Sequence, residues 1–253
     1  MNLLGVDVPP ISHVTIFESG PLGLNKTALI YVFATLATIL LFVLGTRRKD
    51  ALVPAGLLQN TAESGVGFVR NQVIMQTIGA DGMVFLPYLT ALFFFLFFSN
   101  ITEIIPGVQF PANARFGVPL VLAMLTWVIY NVVGVVKQGP LKYVKNSIIP
   151  PGVPKAILPL VVIIEFVSTF LVRPFSLMVR LFANMLAGHL ILVTFAVLTA
   201  GLWALKVTVV IAPFSFALLV AMTGFEILVS FLQAFIFTIL TAVYIGSSMH
   251  PDH

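Results

Sequence analysis

Apolar residues arrive in runs too long and too unbroken for the surface helices of a water-soluble protein. The first, 28–46, reads ALIYVFATLATILLFVLGT and stops at Arg47-Arg48-Lys49-Asp50. About 20 apolar residues carry a helix through a hydrocarbon layer of about 30 Å, so this run predicts a first span. Residues 84–101, rich in Phe, predict a second and 117–136 a third, the two forming a helical hairpin over 84–136. Between the first and second spans, 51–80 mixes apolar positions with Gln, Asn, Glu63 and Arg70 behind Pro54. That mixture predicts an amphipathic helix lying in the membrane interface.

The C-terminal part is different. From Ile157 to Leu205 the ionisable side chains that matter are Glu165, Arg173, Arg180 and His189, and from Val207 to Ile245 they are Glu226 and Tyr244. At 1.5 Å per residue such helices are about 73 and 58 Å long, roughly twice the hydrocarbon thickness. Either each run breaks into a hairpin, at Pro174 and Pro213, or each is one steeply tilted helix. Length alone favours the break, because steep tilt is the rarer geometry. The placement of the charges favours the intact pair.

Composition removes the water-soluble alternative. Hydrophobic residues make up 59% and charged residues 9%, against about a quarter charged in an ordinary soluble domain. Mean hydropathy is +1.09. The expected fold is therefore an all-α integral membrane protein, one domain over 1–253. It has about five membrane helices plus an interfacial helix, with the C-terminal stretch, 156–247, either a long tilted pair or two broken hairpins. Residues 1–25 hold Asp7, Glu18, Pro9, Pro10 and Pro21 but no Lys or Arg, unlike a cleaved signal. They are read as an external segment, 1–27, ahead of a retained first span. The absence of Cys excludes disulfides and thiolate metal sites. The net charge of +4 comes from basic residues beside apolar runs, so no nucleic-acid partner is expected.

Those basic residues set the orientation. With the N-terminus outside, the inner segments hold Arg47, Arg48, Lys49, Arg70, Lys137, Lys142, Lys145 and Lys155, and the outer ones only Lys26, Arg115 and Lys206. The positive-inside rule then places the N-terminus outside and the tail, 248–253, in the cytoplasm.

Folding the two long runs about a turn near Lys206 puts residues 189 and 226 at one depth, and 180 and 233 at another. His189 then faces Glu226 towards the outside, and Arg180 lies near Gln233 deeper in. Glu226, Gln233 and Tyr244 share one stripe of the last helix, while Arg180 and His189, nine residues apart, point to opposite faces. A buried His and Glu at one depth can exchange protons near neutral pH. Arg stays charged throughout and supplies a fixed cation. Plainer readings exist: Arg173, nearer the inner surface, can snorkel to headgroups, and His189, Glu226 and Glu165 can be neutral packing residues. Arg180 fits snorkelling poorly, since at least one further apolar turn flanks it on each side.

Residues 173–189 read RPFSLMVRLFANMLAGH, and 180–189 resemble the Arg-Leu-Phe-(Gly/Ala)-Asn-Met-x-Ala-Gly-(Glu/His) signature of the F-type ATP synthase subunit a family. Leu232-Gln233-Ala234-Phe235-Ile236-Phe237-Thr238, continuing to Tyr244, is similar to that family's last helix, and Asn100-Ile101-Thr102-Glu103-Ile104-Ile105-Pro106-Gly107 is a weaker third match. The resemblance covers about 28–248. It implies two unbroken tilted helices against a rotating ring of subunit c, an outer half-channel lined by Asn100, Glu103, Asn184, His189 and Glu226, and an inner one lined by Glu165, Ser168, Ser176 and Tyr244. Arg180 separates them, with Gln233 nearby. Some members carry Glu at the place of His189 and His at that of Glu226, which keeps the same two chemical groups. The implied partners are the c-ring, the peripheral-stalk subunit b, the rest of the synthase and membrane lipid, in a bacterial plasma membrane. No cofactor and no catalysis by this chain alone are implied. An independent transporter would show inverted repeats, and a membrane enzyme a nucleophile–base set, a metal cluster or a phosphate cradle. None is found in the sequence, and a purely structural role leaves the buried charges without cause.

Overall fold

The computed structural model describes the backbone of residues 2–3, 6–7, 26–45, 56–105, 108, 111–149, 154, 157–204 and 211–249. Most of the external segment 1–27, the turn near Lys206, Lys155 and the end of the tail lie outside the described residues. Among the described residues the chain is helical, apart from a two-residue antiparallel ladder pairing Asn2 with Asp7 and Leu3 with Val6. Five helices are long and apolar enough to cross a membrane: Lys26–Gly45, Ala80–Ile101, Gly117–Gln138, Leu158–Trp203 and Ala212–Met249. The first three coincide with the runs that hydropathy marks. The chain is an all-α integral membrane protein.

Helix α1 is Lys26–Gly45. The expected interfacial segment is helical from α2, Leu57–Phe68, through a π-helical turn at Val69–Ile74, to α3, Met75–Thr77. Its apolar face does not simply lie on lipid. Val69, Val73 and Ile74 are wholly buried. Gly45 and Gly65 explain the close approach, since a Cβ on Gly45 would meet Ala62 at 2.7 Å and one on Gly65 would strike the Phe94 ring. A 3₁₀ turn, Ala80–Phe85, leads into α4, Leu86–Ile101, and a second, Ala112–Ala114, precedes α5, Gly117–Gln138. A short helix that hydropathy does not mark, α6, Pro140–Ile148, follows at once. The last two elements pack against each other, and α9, Ala212–Met249, also packs on α4 and α5. Phe93, Phe68, Phe231 and Phe235 interlock across these contacts.

Neither proline breaks its helix. Pro213 sits in the first turn of α9, where the missing N–H would be unpaired anyway. Pro174 is the harder case. The helix runs without interruption from α7, Leu158–Val167, through a π-helical turn at Ser168–Val172, into α8, Arg173–Ala204. In that turn the Arg173 N–H bonds the carbonyl of Ser168, five residues back. The same register would pair residue 174 with Thr169, but proline has no N–H to give. The hydroxyl of Tyr130, on α5, donates to the Thr169 carbonyl instead, at 2.8 Å. A side chain from a neighbouring helix thus supplies the donor that proline lacks, as spanning helices require.

Tyr130→Phe keeps the ring and removes only that donor, leaving a buried carbonyl unpaired at a cost of about 1–3 kcal/mol. The expected result is an unfolding midpoint several degrees lower for the purified protein in detergent. An unchanged midpoint would mean the hydroxyl does not complete the turn.

Candidate functional site

The tilted pair carries the polar residues, and its register follows from where small residues face large ones. Glu226, on α9, is 4% exposed. Its carboxyl rests against the bare backbone of Gly188 on α8, so closely that a Cβ there would collide with it. Four residues before Gly188, the Asn184 side chain donates through Nδ2 to Gln233 Oε1 at 2.8 Å. Residues 184, 188, 226 and 233 also line a groove of about 360 Å³ between the helices, whose other walls are apolar.

His189 turns elsewhere. Its Nδ1 stands 3.3 Å from Oε1 of Glu103, in the segment just after α4. Depth matching alone pairs His189 with Glu226, and the structure corrects this to a three-group cluster. Successive helical residues point about 100° apart. Gly188 therefore takes the face towards α9, and His189 the face towards the end of α4. Glu226 remains within electrostatic range of both Glu103 and His189. Glu103 is almost fully buried, and neither carboxyl oxygen has a hydrogen-bond partner among the described residues. Burial pushes the Glu103 carboxyl above its ordinary range, and the contact with His189 opposes that shift.

Beside this cluster runs a chain of amides and hydroxyls. The Tyr31 hydroxyl donates to Asn113 Oδ1 at 2.9 Å, and Asn113 Nδ2 donates to Asn100 Oδ1 at 2.6 Å. Asn113 also donates to Ser99 Oγ at 3.0 Å, and Asn100 Nδ2 reaches the Ser230 carbonyl at 3.4 Å. Asn100 is among the residues the sequence singles out. Tyr31, Ser99, Asn113 and Ser230 are not, because a lone Asn in a loop and a Ser in a span carry no signal until folding brings them together. The one legible hint is Ser99-Asn100, an adjacent polar pair closing a Phe-rich run.

The two arginines of α8 behave differently. Arg173 lies over the Tyr244 ring, 5.4 Å from its centroid, and Tyr244 meets Tyr130 edge to face at 5.8 Å. Arg180 is half-buried and makes no hydrogen bond or ion pair among the described residues. The amide of Gln233, expected near Arg180, is engaged by Asn184 one helical turn further on. Of the inner set, Glu165, Ser168 and Ser176 are half-buried along one continuous helix and make no side-chain hydrogen bond among the described residues. Of the four, Tyr244 packs on Arg173 and Tyr130. Chemically, the Glu103–His189–Glu226 cluster brings an imidazole and two carboxyls together in a buried setting where protons can pass between them. The Arg180 guanidinium offers a charge that no described residue neutralises.

The family described as ATP synthase A chain matches residues 28–246. Among curated proteins, the chain is 44% identical over 246 residues to an ATP synthase subunit a of Rhodococcus erythropolis, covering 94% of this chain and 86% of that one. It is 44% identical over 234 residues to an ATP synthase subunit a of Frankia alni, covering 92% and 80%. It is 43% identical over 243 residues to an ATP synthase subunit a of Rhodopseudomonas palustris, covering 94% and 95%. With a match that spans all five membrane helices and relatives this similar over nearly the whole chain, the protein belongs to the ATP synthase subunit a family.

Proposed function

We propose that the chain is the stator of the membrane sector, offering two offset proton half-channels to a ring of subunit c, with Arg180 between them. The observation that carries this reading is Arg180, without a partner among the described residues, on a membrane helix whose acidic neighbours are grouped elsewhere. A guanidinium in lipid costs several kcal/mol or more, so one without a partner among the described residues suits an anion brought by another subunit. A carboxylate on each ring subunit fits. A proton enters through the outer cluster, Asn100, Glu103, Asn184, His189 and Glu226, and neutralises that carboxylate. The neutral site then travels through lipid as the ring turns. Near the inner set, Glu165, Ser168, Ser176 and Tyr244, the cation of Arg180 favours the ionised carboxylate, and the proton leaves. The driving force is about 2.3 kcal/mol per charge for each 100 mV of membrane potential. Gln233 is held by Asn184, one helical turn along from the arginine. The peripheral-stalk subunit b holds the chain still, the N-terminus faces outward, and the membrane is a bacterial plasma membrane. Chemistry on nucleotide lies in other subunits.

Arg180→Ala is expected to abolish proton-driven ATP synthesis in vesicles while the complex still assembles. Normal synthesis in that variant would sink the reading. His189→Ala and Glu226→Ala are each expected to slow proton flux by about a hundredfold, the usual worth of a positioned proton-transfer group. Flux unaltered in both would remove them from the path. Gly188→Ala tests the packing directly, since the three atoms nearest the new Cβ all belong to the carboxyl of Glu226. It should assemble normally yet conduct protons more slowly. Gly67→Ala, where nothing lies within 4 Å of the added carbon, should not.

A further inference from the structure

Helix α6 lies at one end of the third span and has no part in the proton path. Gly139 makes the corner: at φ 83° and ψ 152° it adopts a backbone that only glycine takes readily. The chain therefore turns off α5 sharply and starts a new helix at Pro140. Its roll is set by Tyr143. The Tyr143 ring fills the space over Gly134, where a Cβ would collide with it, and its hydroxyl donates to Asn131 Oδ1 at 3.0 Å. Asn146 Nδ2 donates to Gln138 Oε1 at 3.0 Å, and Gln138 in turn donates to the Ser248 carbonyl at 2.7 Å. The helix is thus pinned along one side.

What it presents outward is mixed. Leu141 is 88% exposed, and Val144, Lys142 and Lys145 are exposed beside it, with Lys137 at the end of α5. No Asp or Glu occurs between Glu103 and Glu165. None of these three lysines forms an ion pair among the described residues. A nearly bare leucine is ill suited to water, and three ammonium groups that form no ion pair among the described residues are ill suited to hydrocarbon. Both are suited to the boundary between the two, where the apolar side chain enters the acyl region and the lysine stems reach up to phosphates.

We propose that the outward face of α6 is a binding site for the anionic headgroups of membrane phospholipids, read by Lys142 and Lys145 with Leu141 and Val144 anchoring the acyl chains. The site does not depend on the proton-path reading, only on α5 crossing the membrane. Each lysine near an anionic leaflet contributes about fivefold to binding.

The test uses the assembled complex. Because this chain has no Cys, Leu141→Cys places a single environment-sensitive fluorophore on it, with the complex lacking that substitution as the labelling control. Reconstitution is in mixed phosphatidylcholine–phosphatidylglycerol vesicles, with a nitroxide near the glycerol end of one lipid or the other. Phosphatidylglycerol is expected to quench at lower mole fraction than phosphatidylcholine, and Lys142→Gln with Lys145→Gln to remove that preference, roughly fivefold for each lysine replaced. Should the double replacement fail to assemble, loss of the preference at high salt with the lysines intact decides the matter in its place. Three outcomes overturn the proposal: no quenching by either lipid, which means another subunit covers the face; equal quenching by both, which means apolar anchoring alone; and displacement by inorganic phosphate at constant ionic strength, which means a soluble-anion site.

Discussion

A guanidinium inside a hydrocarbon layer must have an anion, water or a route to the headgroups, at a cost set anywhere from about 3 to about 15 kcal/mol without them. Arg173 and Arg180 sit two turns apart on one helix and meet that constraint in different ways. Arg173 lies on the face of Tyr244, which is in turn packed on Tyr130. Arg180 has no such cover from the described residues. Its freedom depends on segregation. Gly188, where Glu226 docks, is eight residues along α8, or about 12 Å up the axis at 1.5 Å per residue. A carboxyl placed one or two turns nearer along the helix would neutralise the arginine within the chain.

Segregation in turn depends on how α8 and α9 pack. Lipid gives helices no hydrophobic reason to associate, so small residues and buried hydrogen bonds do that work. Gly188 makes room for the carboxyl of Glu226, and Asn184 binds Gln233. Nearer the turn the hydroxyls of Thr199 and Ser215 meet at 2.8 Å. These contacts hold the register while a groove of about 360 Å³ stays open between the helices beside Glu226. The same missing side chain that lets the helices approach also seats the carboxyl of Glu226.

On the other side of the bundle the constraint is backbone satisfaction rather than charge. A proline in a spanning helix leaves a carbonyl without its donor, and there is no water to replace it. The π-helical turn before Pro174 brings the Thr169 carbonyl to Tyr130. Since Tyr130 also touches Tyr244, the same aromatic pair links α5, α8 and α9 around Arg173. One side of the bundle is knit by aromatic rings, the other by amides and carboxyls.

Much of this was legible in the chain before folding. Run length and the scarcity of charge established a membrane protein and placed the first three spans, because hydrocarbon thickness is a fixed ruler. The spacing of 180, 189, 226 and 233 placed Arg180 and the His189 region at different depths, because a helix converts sequence separation into distance. The tilted pair is unbroken at Pro174 through a donor on another helix, which no local pattern announces. His189 meets Glu103 rather than Glu226, because depth says nothing of the direction a side chain takes around the helix. The Tyr31–Asn113–Asn100 chain and the seat of α6 on Gly134 likewise join residues from separate segments. Such partners are chosen by packing, where direction and close approach decide, and a linear pattern of apolar and polar positions carries neither.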